Sequence, residues 1–241
     1  TVAINGVTQP EEPAISGVAS VNGNSYDTFA EAWEAAYACS DDCIFILNED
    51  INIETFPEVK DNTYCNLDFE CQDATLDLNG HNITFARTDV DDEYYGFYIY
   101  SNQGNLTVIN SAKTGAAVDV YTGGYGALCA NSILTVDGDI TLTQRYHNGD
   151  ISGLYLFSGS DGTNIKNVTV LLEDDATVED DVFDYQDSVQ IFGGTFNFDP
   201  TDYLAKGAGL KAKQGTDGLW RVSNGEDEDF AATIDGEKYN T

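Results

Sequence analysis

The segment Ala74–Phe85 is the feature that most constrains the fold. Leu76 and Leu78 alternate with polar residues, Gly80 permits a tight turn, and a second alternation ends the segment. Period-2 alternation bounded by Gly, Asn and Asp predicts a short strand, a turn and another short strand. A single coil of strands buries its apolar face only when a neighbour stacks on it, so recurrence of this pattern is typical of a solenoid. The pattern recurs at Asn105–Asn110, Ile133–Leu142, Asn167–Leu172 and Val189–Phe198.

Composition limits the classes of partner. The chain has 241 residues, 41% of them hydrophobic, which is enough for one elongated domain or two small ones. Ten Lys and Arg against 42 Asp and Glu give a net charge of -32. Such a surface repels polyanions, so nucleic acid and anionic membrane surfaces are poor candidates for partners. No apolar run approaches the roughly 20 residues that span a bilayer, and we expect no membrane insertion in this segment.

The N-terminal part predicts a cap for the column. Residues 1–19 are interpreted as a linker or a preceding strand, and residues 20–26 as a pair of short strands. Thr28 and Glu31 form a capping box that opens a helix at about 28–38, followed by a strand at Cys43–Leu47. We predict that this amphipathic helix plugs the open end of the first coil. Its apolar face is expected to carry Phe29, Trp33, Ala36 and Tyr37.

The sequence of the C-terminal part predicts the end of the column and then the start of a second repeat. Val189–Val222 is interpreted as a last strand, a turn at Asp199–Pro200, a short helical turn and a closing strand. The β-helix domain is therefore assigned to 20–222, and 223–232 to an acidic linker. Residues 233–241 align with 20–28, sharing Gly, Tyr and Thr. This match predicts that a second repeat begins at 233 and that a helix-forming segment follows Thr241.

Four cysteines are candidate disulfide partners: Cys39, Cys43, Cys65 and Cys71. Two disulfides would favour an oxidising compartment. Local pairing of Cys39 with Cys43 and of Cys65 with Cys71 is the favoured arrangement, and crossed pairing would join the N-terminal segment to the first coil. A zinc site is the rival, but it needs tighter ligand spacing. Cys129 lies in an apolar run and is interpreted as a small buried hydrophobe rather than a nucleophile.

Four segments of the chain resemble a known family. Val21–Ala32 followed by Leu76–Thr84, and later Gly193–Gly207 with Gly218–Val222, are similar to right-handed parallel β-helix domains of pectate-lyase-like fold. Such domains belong to large secreted and surface proteins of gut-type bacteria, and related ones to phage virion proteins. The resemblance implies an all-β, right-handed parallel β-helix solenoid with one N-terminal capping helix, and an exposed location. It carries over no catalytic residue, because the matched motifs are capping and turn elements.

Acidic side chains supply weak candidates for a calcium site. Two acidic triplets six residues apart are weak candidates for Ca²⁺, although neither follows an EF-hand or nonapeptide spacing. A solvated acidic face is the favoured interpretation, and we predict no cofactor beyond weakly bound Ca²⁺. The triplets are Glu173, Asp174, Asp175 and Glu179, Asp180, Asp181.

Enzyme chemistry is the rival to a structural role. Pectate-lyase-like enzymes use carboxylates for Ca²⁺ and a basic residue as proton acceptor, and two segments supply these residue types. A polyuronate groove also needs basic subsites, which ten basic residues across the chain do not make, whereas glycoside hydrolysis needs only two carboxylates. The aromatic run Tyr94–Tyr100 is interpreted as packing or inter-subunit contact rather than a sugar platform. The residue types are found at Arg87, Asp89, Asp91, Asp92 and Glu93, and at Arg145, His147 and Asp150.

The sequence therefore favours a non-enzymatic structural or binding module, with no catalytic residue assigned. We expect a stalk, adhesin or surface-decoration protein built of tandem β-helix domains. The alternatives are a phage virion decoration or fibre protein, and a carbohydrate-active enzyme acting on a β-helix groove. Expected partners are other copies or neighbouring domains of a surface assembly, with carbohydrate as a further candidate. The expected location is extracellular, on a cell surface or on a virion exterior.

Overall fold

The computed structural model describes residues 17–53, 65–85, 97–121, 128–145, 156–172, 183, 185–224, 232–234 and 237–239. Within these residues the chain forms strands with one α-helix and two 3-10 turns. The predicted alternating segments are strands at the expected places. The predicted strand at Cys43–Leu47 is found with those bounds.

The strands are short and are numbered in chain order. The first eleven are β1 (Ala19–Val21), β2 (Asn24–Tyr26), β3 (Cys43–Leu47), β4 (Ile51–Ile53), β5 (Cys65–Phe69), β6 (Asp73–Asp77), β7 (Ile83–Phe85), β8 (Phe97–Ser101), β9 (Asn105–Ile109), β10 (Ala116–Tyr121) and β11 (Leu128–Ala130). The others are β12 (Ile133–Asp137), β13 (Ile140–Arg145), β14 (Phe157–Gly159), β15 (Gly162–Lys166), β16 (Val168–Leu172), β17 (Val189–Ile191), β18 (Gly194–Phe196), β19 (Lys211–Gln214), β20 (Trp220–Ser223), β21 (Ala232–Ile234) and β22 (Glu237–Tyr239). The helix α1 is Phe29–Tyr37, and the 3-10 turns are Gln186–Ser188 and Thr201–Tyr203.

Three sheets form the walls of a parallel β-helix. Sheet 1 has the order β17-β15-β12-β9-β6-β3-β1-β2, sheet 2 the order β19-β20-β18-β16-β13-β10-β7-β4, and sheet 3 the order β14-β11-β8-β5. From β3 to β17, from β4 to β18 and throughout sheet 3 the pairing is parallel. Consecutive coils therefore stack directly on one another, which confirms the all-β parallel β-helix predicted from the sequence.

Apolar side chains stack in rows inside the column. Alternate residues of a strand point to one face, so parallel strands in register bring like side chains above one another. The rows are fully buried and combine into one hydrophobic core. In sheet 1 the central row is Phe45, Leu76, Val108, Val136, Ile165 and Ile191. In sheet 3 one row is Leu67, Ile99, Leu128 and Phe157.

Helix α1 covers the N-terminal end of this core. Thr28 is its N-cap, and the Thr28 hydroxyl accepts a hydrogen bond from the Glu31 N–H at 3.3 Å and donates one to the Glu31 carboxylate at 2.9 Å. The Phe29 ring packs against Phe45, with the ring centroids 5.9 Å apart. The prediction of a capping helix is thus confirmed, and its apolar face differs in one member. Tyr37 is 53% exposed, because at 100° per residue it lies at the edge of the face that buries Ala32, Trp33 and Ala36.

Antiparallel strands lie at both ends of the column. At the N-terminal end β1 pairs antiparallel with both β2 and β3. At the C-terminal end β20 pairs antiparallel with both β18 and β19, so the predicted closing strand is one half of a hairpin. The 3-10 turn Thr201–Tyr203 leads to Leu204, which bridges the outer edge of β17. The parallel stacking therefore stops at β3 in sheet 1 and at β18 in sheet 2, and the last edge of sheet 1 is partly covered.

Side chains at the turns join successive coils. Asn79 and Gly80 both have positive φ, of 48° and 81°, which gives the tight turn predicted at Gly80. The Gly80 N–H donates to Asn110 Oδ1 of the next coil at 2.8 Å. Asn110 Nδ2 in turn donates to the carbonyl of Thr114 at 2.8 Å and to that of Asp139, one coil further on, at 2.9 Å. One amide thus ties three coils together.

The described C-terminal residues form a second hairpin. β21 and β22 pair antiparallel with Ala232 opposite Tyr239. The first hairpin, β1–β2, has Ala19 opposite Tyr26. The two hairpins therefore have the same register, and the positions that face each other in one hairpin are those that face each other in the other when 233–241 is aligned with 20–28.

Candidate functional surfaces

Most of the residues that the sequence suggests for metal binding or catalysis lie outside the described residues. This holds for the six calcium candidates Glu173, Asp174, Asp175, Glu179, Asp180 and Asp181, and for Arg87, the acidic residues 89–93, His147 and Asp150. Arg145 ends β13, and the structure describes its backbone alone. The weak calcium candidates and the rival lyase chemistry at these residues stay hypotheses. In the part of the chain that is described, no group of three or more His, Cys, Asp or Glu is arranged to hold a metal ion.

Three of the four disulfide candidates are free thiols that lie together. Cys39, Cys43 and Cys71 carry no disulfide. The favoured local pairs are therefore not formed, since Cys39 and Cys43 are both free and Cys71 is not bonded to Cys65. Cys65 is the first residue of β5, and the structure describes its backbone alone. The pairing predicted from the short spacing of the cysteines is therefore wrong. The neighbour that Cys43 gains when the coils stack is Cys71, which is distant from it in the sequence.

The three thiols meet beneath the C-terminal end of α1. The thiols of Cys39 and Cys71 are neighbours of the Cys43 thiol and raise its pKa. Cys39 Sγ lies 3.4 Å from the carbonyl oxygen of Ala35, and Cys43 Sγ lies 3.9 Å from that of Ala36. These carbonyls belong to the last turn of the helix, and the Ala36 carbonyl also accepts a hydrogen bond from the Cys39 N–H at 3.2 Å. The thiols therefore serve as weak donors to the helix end.

Burial keeps two of these thiols protonated. Desolvation raises the pKa of the Cys43 thiol far above its ordinary value, and the neighbouring Cys39 and Cys71 thiols raise it further. Burial also raises the pKa of the Cys71 thiol. Cys43 and Cys71 are completely buried, whereas Cys39 is half-buried. Solvent access to the cluster is therefore through Cys39.

Asn22 connects the first hairpin to this cluster. With φ of 48° at Asn22 and 80° at Gly23, the β1–β2 turn has the two positive φ values of a tight hairpin turn. The Asn22 side chain accepts a hydrogen bond from the Ile44 N–H at 2.8 Å and donates to the Asp42 carbonyl at 3.1 Å. Its Nδ2 also lies 3.6 Å from Cys39 Sγ. The hairpin turn, the exit of α1 and the start of β3 are thus held by one side chain.

Sheet 3 carries a row of polar side chains on its outer face. Asp68, Tyr100, Cys129 and Ser158 are in register on four successive strands. Tyr100 is half-buried, and desolvation raises the pKa of its phenol, with further increases from Cys129 and Asp68. Cys129 is 7% exposed, which confirms the predicted burial. It lies in this outer row, next to Tyr100, and not in the hydrophobic core.

The outer faces of sheets 1 and 2 present rows of hydroxyl and amide groups. Side chains in such a row are spaced by the distance between neighbouring strands, about 4.8 Å. They are half-buried or exposed and uncharged apart from the terminal Arg221. In sheet 1 the row is Thr75, Thr107, Thr135, Asn164 and Gln190. In sheet 2 the row is Thr141, Thr169, Thr195 and Arg221.

Sequence reasoning missed both the thiol cluster and the outer rows. Each depends on which residue of one coil lies above which residue of the next, and the turns that set this register differ in length. A signal was available for the row of sheet 3. Each of its members follows a large apolar residue that points inward: Leu67, Ile99, Leu128 and Phe157.

The described helices are too short or too polar to cross a bilayer. No family model matches this chain, and comparison with curated proteins and with solved structures gives no match either. Its fold is therefore assigned from its own strand register: a parallel β-helix closed by antiparallel strands, with a thiol cluster under the capping helix.

Proposed function

We propose that this chain is a structural module of an exterior surface, a rigid β-helix rod arranged in tandem with further copies or neighbouring domains. The exterior is that of a bacterial cell, as a stalk or adhesin, or that of a phage particle, as a decoration or fibre protein. In this proposal the side chains of the column are used for stacking rather than for catalysis.

The packing of the column supports a mechanical role. Its interior is filled by rows of aliphatic and aromatic side chains, which leave the outer faces for contact with other molecules. Parallel stacking makes each coil depend on its neighbours, so the column resists local bending. A net charge of -32 favours solubility and keeps copies apart in solution.

The observation that carries the tandem arrangement is the shared register of the two hairpins. β1–β2 begins the column, because β1 pairs with β3 and α1 follows directly. β21–β22 has the same register and a matching sequence. A hairpin of this kind is marginal alone and needs a sheet to pair with. We propose that β21–β22 performs for the next copy what β1–β2 performs for this one.

A concatemer tests this proposal. The chain 1–241 is followed directly by a second copy of 29–241, so that Thr241 takes the place of Thr28. We expect backbone amides of 232–239 to exchange slowly in the concatemer, as those of 19–26 do in the single chain, and to exchange quickly in the single chain. Small-angle scattering is expected to show a longer particle with two folded columns.

The matched control replaces 232–239 of the concatemer with a Gly/Ser segment of equal length. We expect its second column to be less stable than that of the parent concatemer. Equal stability of the two second columns would overturn the tandem role of the hairpin. The structural role itself would be overturned if the purified chain released reducing ends or unsaturated uronates from a panel of polysaccharides.

A further inference from the structure

The C-terminal end of the column is a basic surface on an acidic chain. Residues 200–224 carry four Lys and Arg against two Asp, although the whole chain has only ten basic residues. All four basic side chains are exposed. They are named the basic cap: Lys206, Lys211, Lys213 and Arg221.

The β19–β20 hairpin turns part of the basic cap away from the core. Lys213 lies opposite Arg221 across this hairpin. The neighbouring pair, Ala212 and Val222, packs against the hydrophobic core, and successive residues of a strand point to opposite faces. β19 is an outermost strand of sheet 2, so within the described residues only one of its sides is paired. Such an edge can accept a partner, and lysines on it restrict which partner is accepted.

The N-terminal end of the column has the opposite charge. Residues 17–53 contain seven Asp and Glu, all exposed, and no Lys or Arg. Glu31 and Glu34 belong to α1, and at 100° per residue both lie on the side of the helix opposite to its buried face. Because that buried face covers the core, the two carboxylates point away from the column. With the two residues that follow the helix they form the acidic cap: Glu31, Glu34, Asp41 and Asp42.

The proposed tandem arrangement brings two such ends close together. β20 ends at Ser223 and β21 begins at Ala232, and the eight residues between these strands can span at most about 29 Å. In the tandem arrangement β21–β22 is the first hairpin of the next column, and the capping helix of that column follows directly. The acidic cap of the next copy is therefore within reach of the basic cap of the copy before it.

We propose that the basic cap of one copy docks on the acidic cap of the next copy, so that successive columns meet end to end. This inference rests on the proposed tandem role and names the surfaces through which neighbouring columns contact each other. The contact is heterologous, because two different patches of the same chain meet, and it continues in one direction along the rod. Two ends of like charge repel each other, so the charges also set the polarity of the rod.

Linkage within one chain allows this contact to form. Exposed ion pairs contribute little individually and are weakened by salt, and the net charge of -32 opposes the approach of two separate copies. A short linker raises the effective concentration of one end near the other to about the millimolar range. The docking is therefore intramolecular in a tandem protein, and single copies stay apart.

The first test is zero-length cross-linking of the concatemer described above. A carbodiimide joins a lysine to a carboxylate without a spacer, so it reports direct contacts. We expect cross-links between the basic cap of the first copy and the acidic cap of the second, mapped by mass spectrometry after digestion. The second acidic cap is recognised by its peptide, which contains Thr241 in place of Thr28. A cross-link between the two caps of one copy is excluded, because five strand spacings of about 4.8 Å separate β3 from β17.

The second test is charge reversal, read by small-angle scattering. The radius of gyration of the parent concatemer is expected to rise between about 0.1 and 1 M salt, where the Debye length falls from about 10 to 3 Å. Lys211→Glu with Lys213→Glu in the first copy should give the larger radius already at low salt and remove the salt dependence. Adding Glu34→Lys with Asp41→Lys in the second copy should restore the parent radius, because the attraction is then inverted.

The matched control changes the net charge equally on the side of the column. Lys113→Glu with Lys166→Glu in the first copy is expected to leave the radius of gyration and its salt dependence unchanged. Lys113 precedes β10, and Lys166 ends β15. Circular dichroism checks that each variant is folded. If a variant does not fold, the cross-links of the parent concatemer and their loss at 1 M salt decide the question.

Three outcomes would overturn the end-to-end docking. They are a parent concatemer without cross-links between the caps, cross-links of the basic cap confined to the linker carboxylates at 226–229 or to carboxylates on the side of the column, and an unchanged radius of gyration in the Lys211→Glu, Lys213→Glu concatemer. Amide exchange of 232–239 judges the tandem role separately. Slow exchange without cap cross-links removes the docking alone, and cap cross-links with fast exchange remove the role of the hairpin alone.

Discussion

Phe45 and Phe69 meet edge to face inside the column, with ring centroids 6.4 Å apart and planes at 84°. Phe45 belongs to sheet 1 and Phe69 to sheet 3 of the first coil, and Phe29 of the capping helix also packs against Phe45. This contact continues the core from the cap into the coils. It is the point at which the cap and the stack depend most directly on each other.

Truncation of Phe45 is expected to destabilise the protein strongly. Phe45→Ala leaves a cavity between the Phe29 ring of the cap and the Phe69 ring of the first coil and should cost about 3–5 kcal/mol. The neighbouring Ile44 points outward and is 48% exposed, so Ile44→Ala should cost less than about 0.5–1 kcal/mol. Urea unfolding followed by circular dichroism measures both. A cost for Phe45→Ala no larger than that for Ile44→Ala would contradict the assigned role of the ring.

Among the side-chain amides at the turns, Asn110 is expected to lower the free energy of unfolding most when it is removed. Its side chain makes hydrogen bonds at 2.8, 2.9, 2.8 and 3.3 Å to the backbone of three coils. Asn110→Ala leaves two carbonyls and two N–H groups without this partner and should cost about 1–3 kcal/mol. Asn131→Ala, at an exposed turn position, is the control and should be close to neutral. Equal unfolding midpoints for the two variants would refute the prediction.

Substitution by alanine is expected to have opposite effects on stability at two glycines of the column. A Cβ at Gly104 would collide with the backbone carbonyl oxygen of Gln72 in the previous coil, whereas a Cβ at Gly162 meets only the Ser188 oxygen at 3.8 Å. Gly104→Ala should therefore force the coils apart and cost about 1–3 kcal/mol. Gly162→Ala should be neutral or stabilise by up to about 1 kcal/mol, because it restricts the unfolded chain. Thermal unfolding of the two variants decides, and a stable Gly104→Ala protein would exclude the close approach.

Asp217 is expected to titrate abnormally low. The Arg221 guanidinium donates hydrogen bonds to both carboxylate oxygens, at 3.1 and 2.6 Å, and lowers the pKa of Asp217 from 3.8 to about 2. A depressed pKa contributes stability above pH 3.8 that is lost as the pH falls through about 2. Both side chains are half exposed, so added salt should raise the pKa. In Arg221→Gln the pKa should return toward 3.8, as measured by carboxyl-carbon NMR, and an unchanged value would exclude the ion pair as its cause.

The local pattern of the chain was sufficient to predict the strands and the cap. Leu76 and Leu78, the Asn79–Gly80 turn and the Thr28–Glu31 capping box are interactions between residues close in sequence, so alternation and spacing report them directly. The prediction that Tyr37 belongs to the apolar face of its helix is wrong, because the edge of such a face cannot be located without knowing what packs against it.

The contacts between coils could not be predicted in the same way. Cys43 meets Cys71, and Tyr100 meets Cys129, only after the length of each intervening turn has fixed which residues lie above one another. Short turns closed by Asn and Gly tolerate changes in length, so the sequence does not encode this register as a simple period. The disulfide pairs chosen from sequence proximity were therefore not those that stacking brings together.

The amide of Asn110 fastens neighbouring levels of the column through backbone atoms rather than through the identity of any side chain it meets. A level of this kind is interchangeable: a segment that begins and ends at equivalent turn positions offers the same hydrogen-bonding edge above and below. The length of such a protein could then change during evolution by duplication or loss of whole coils, while the antiparallel strands that close the two ends stay the same.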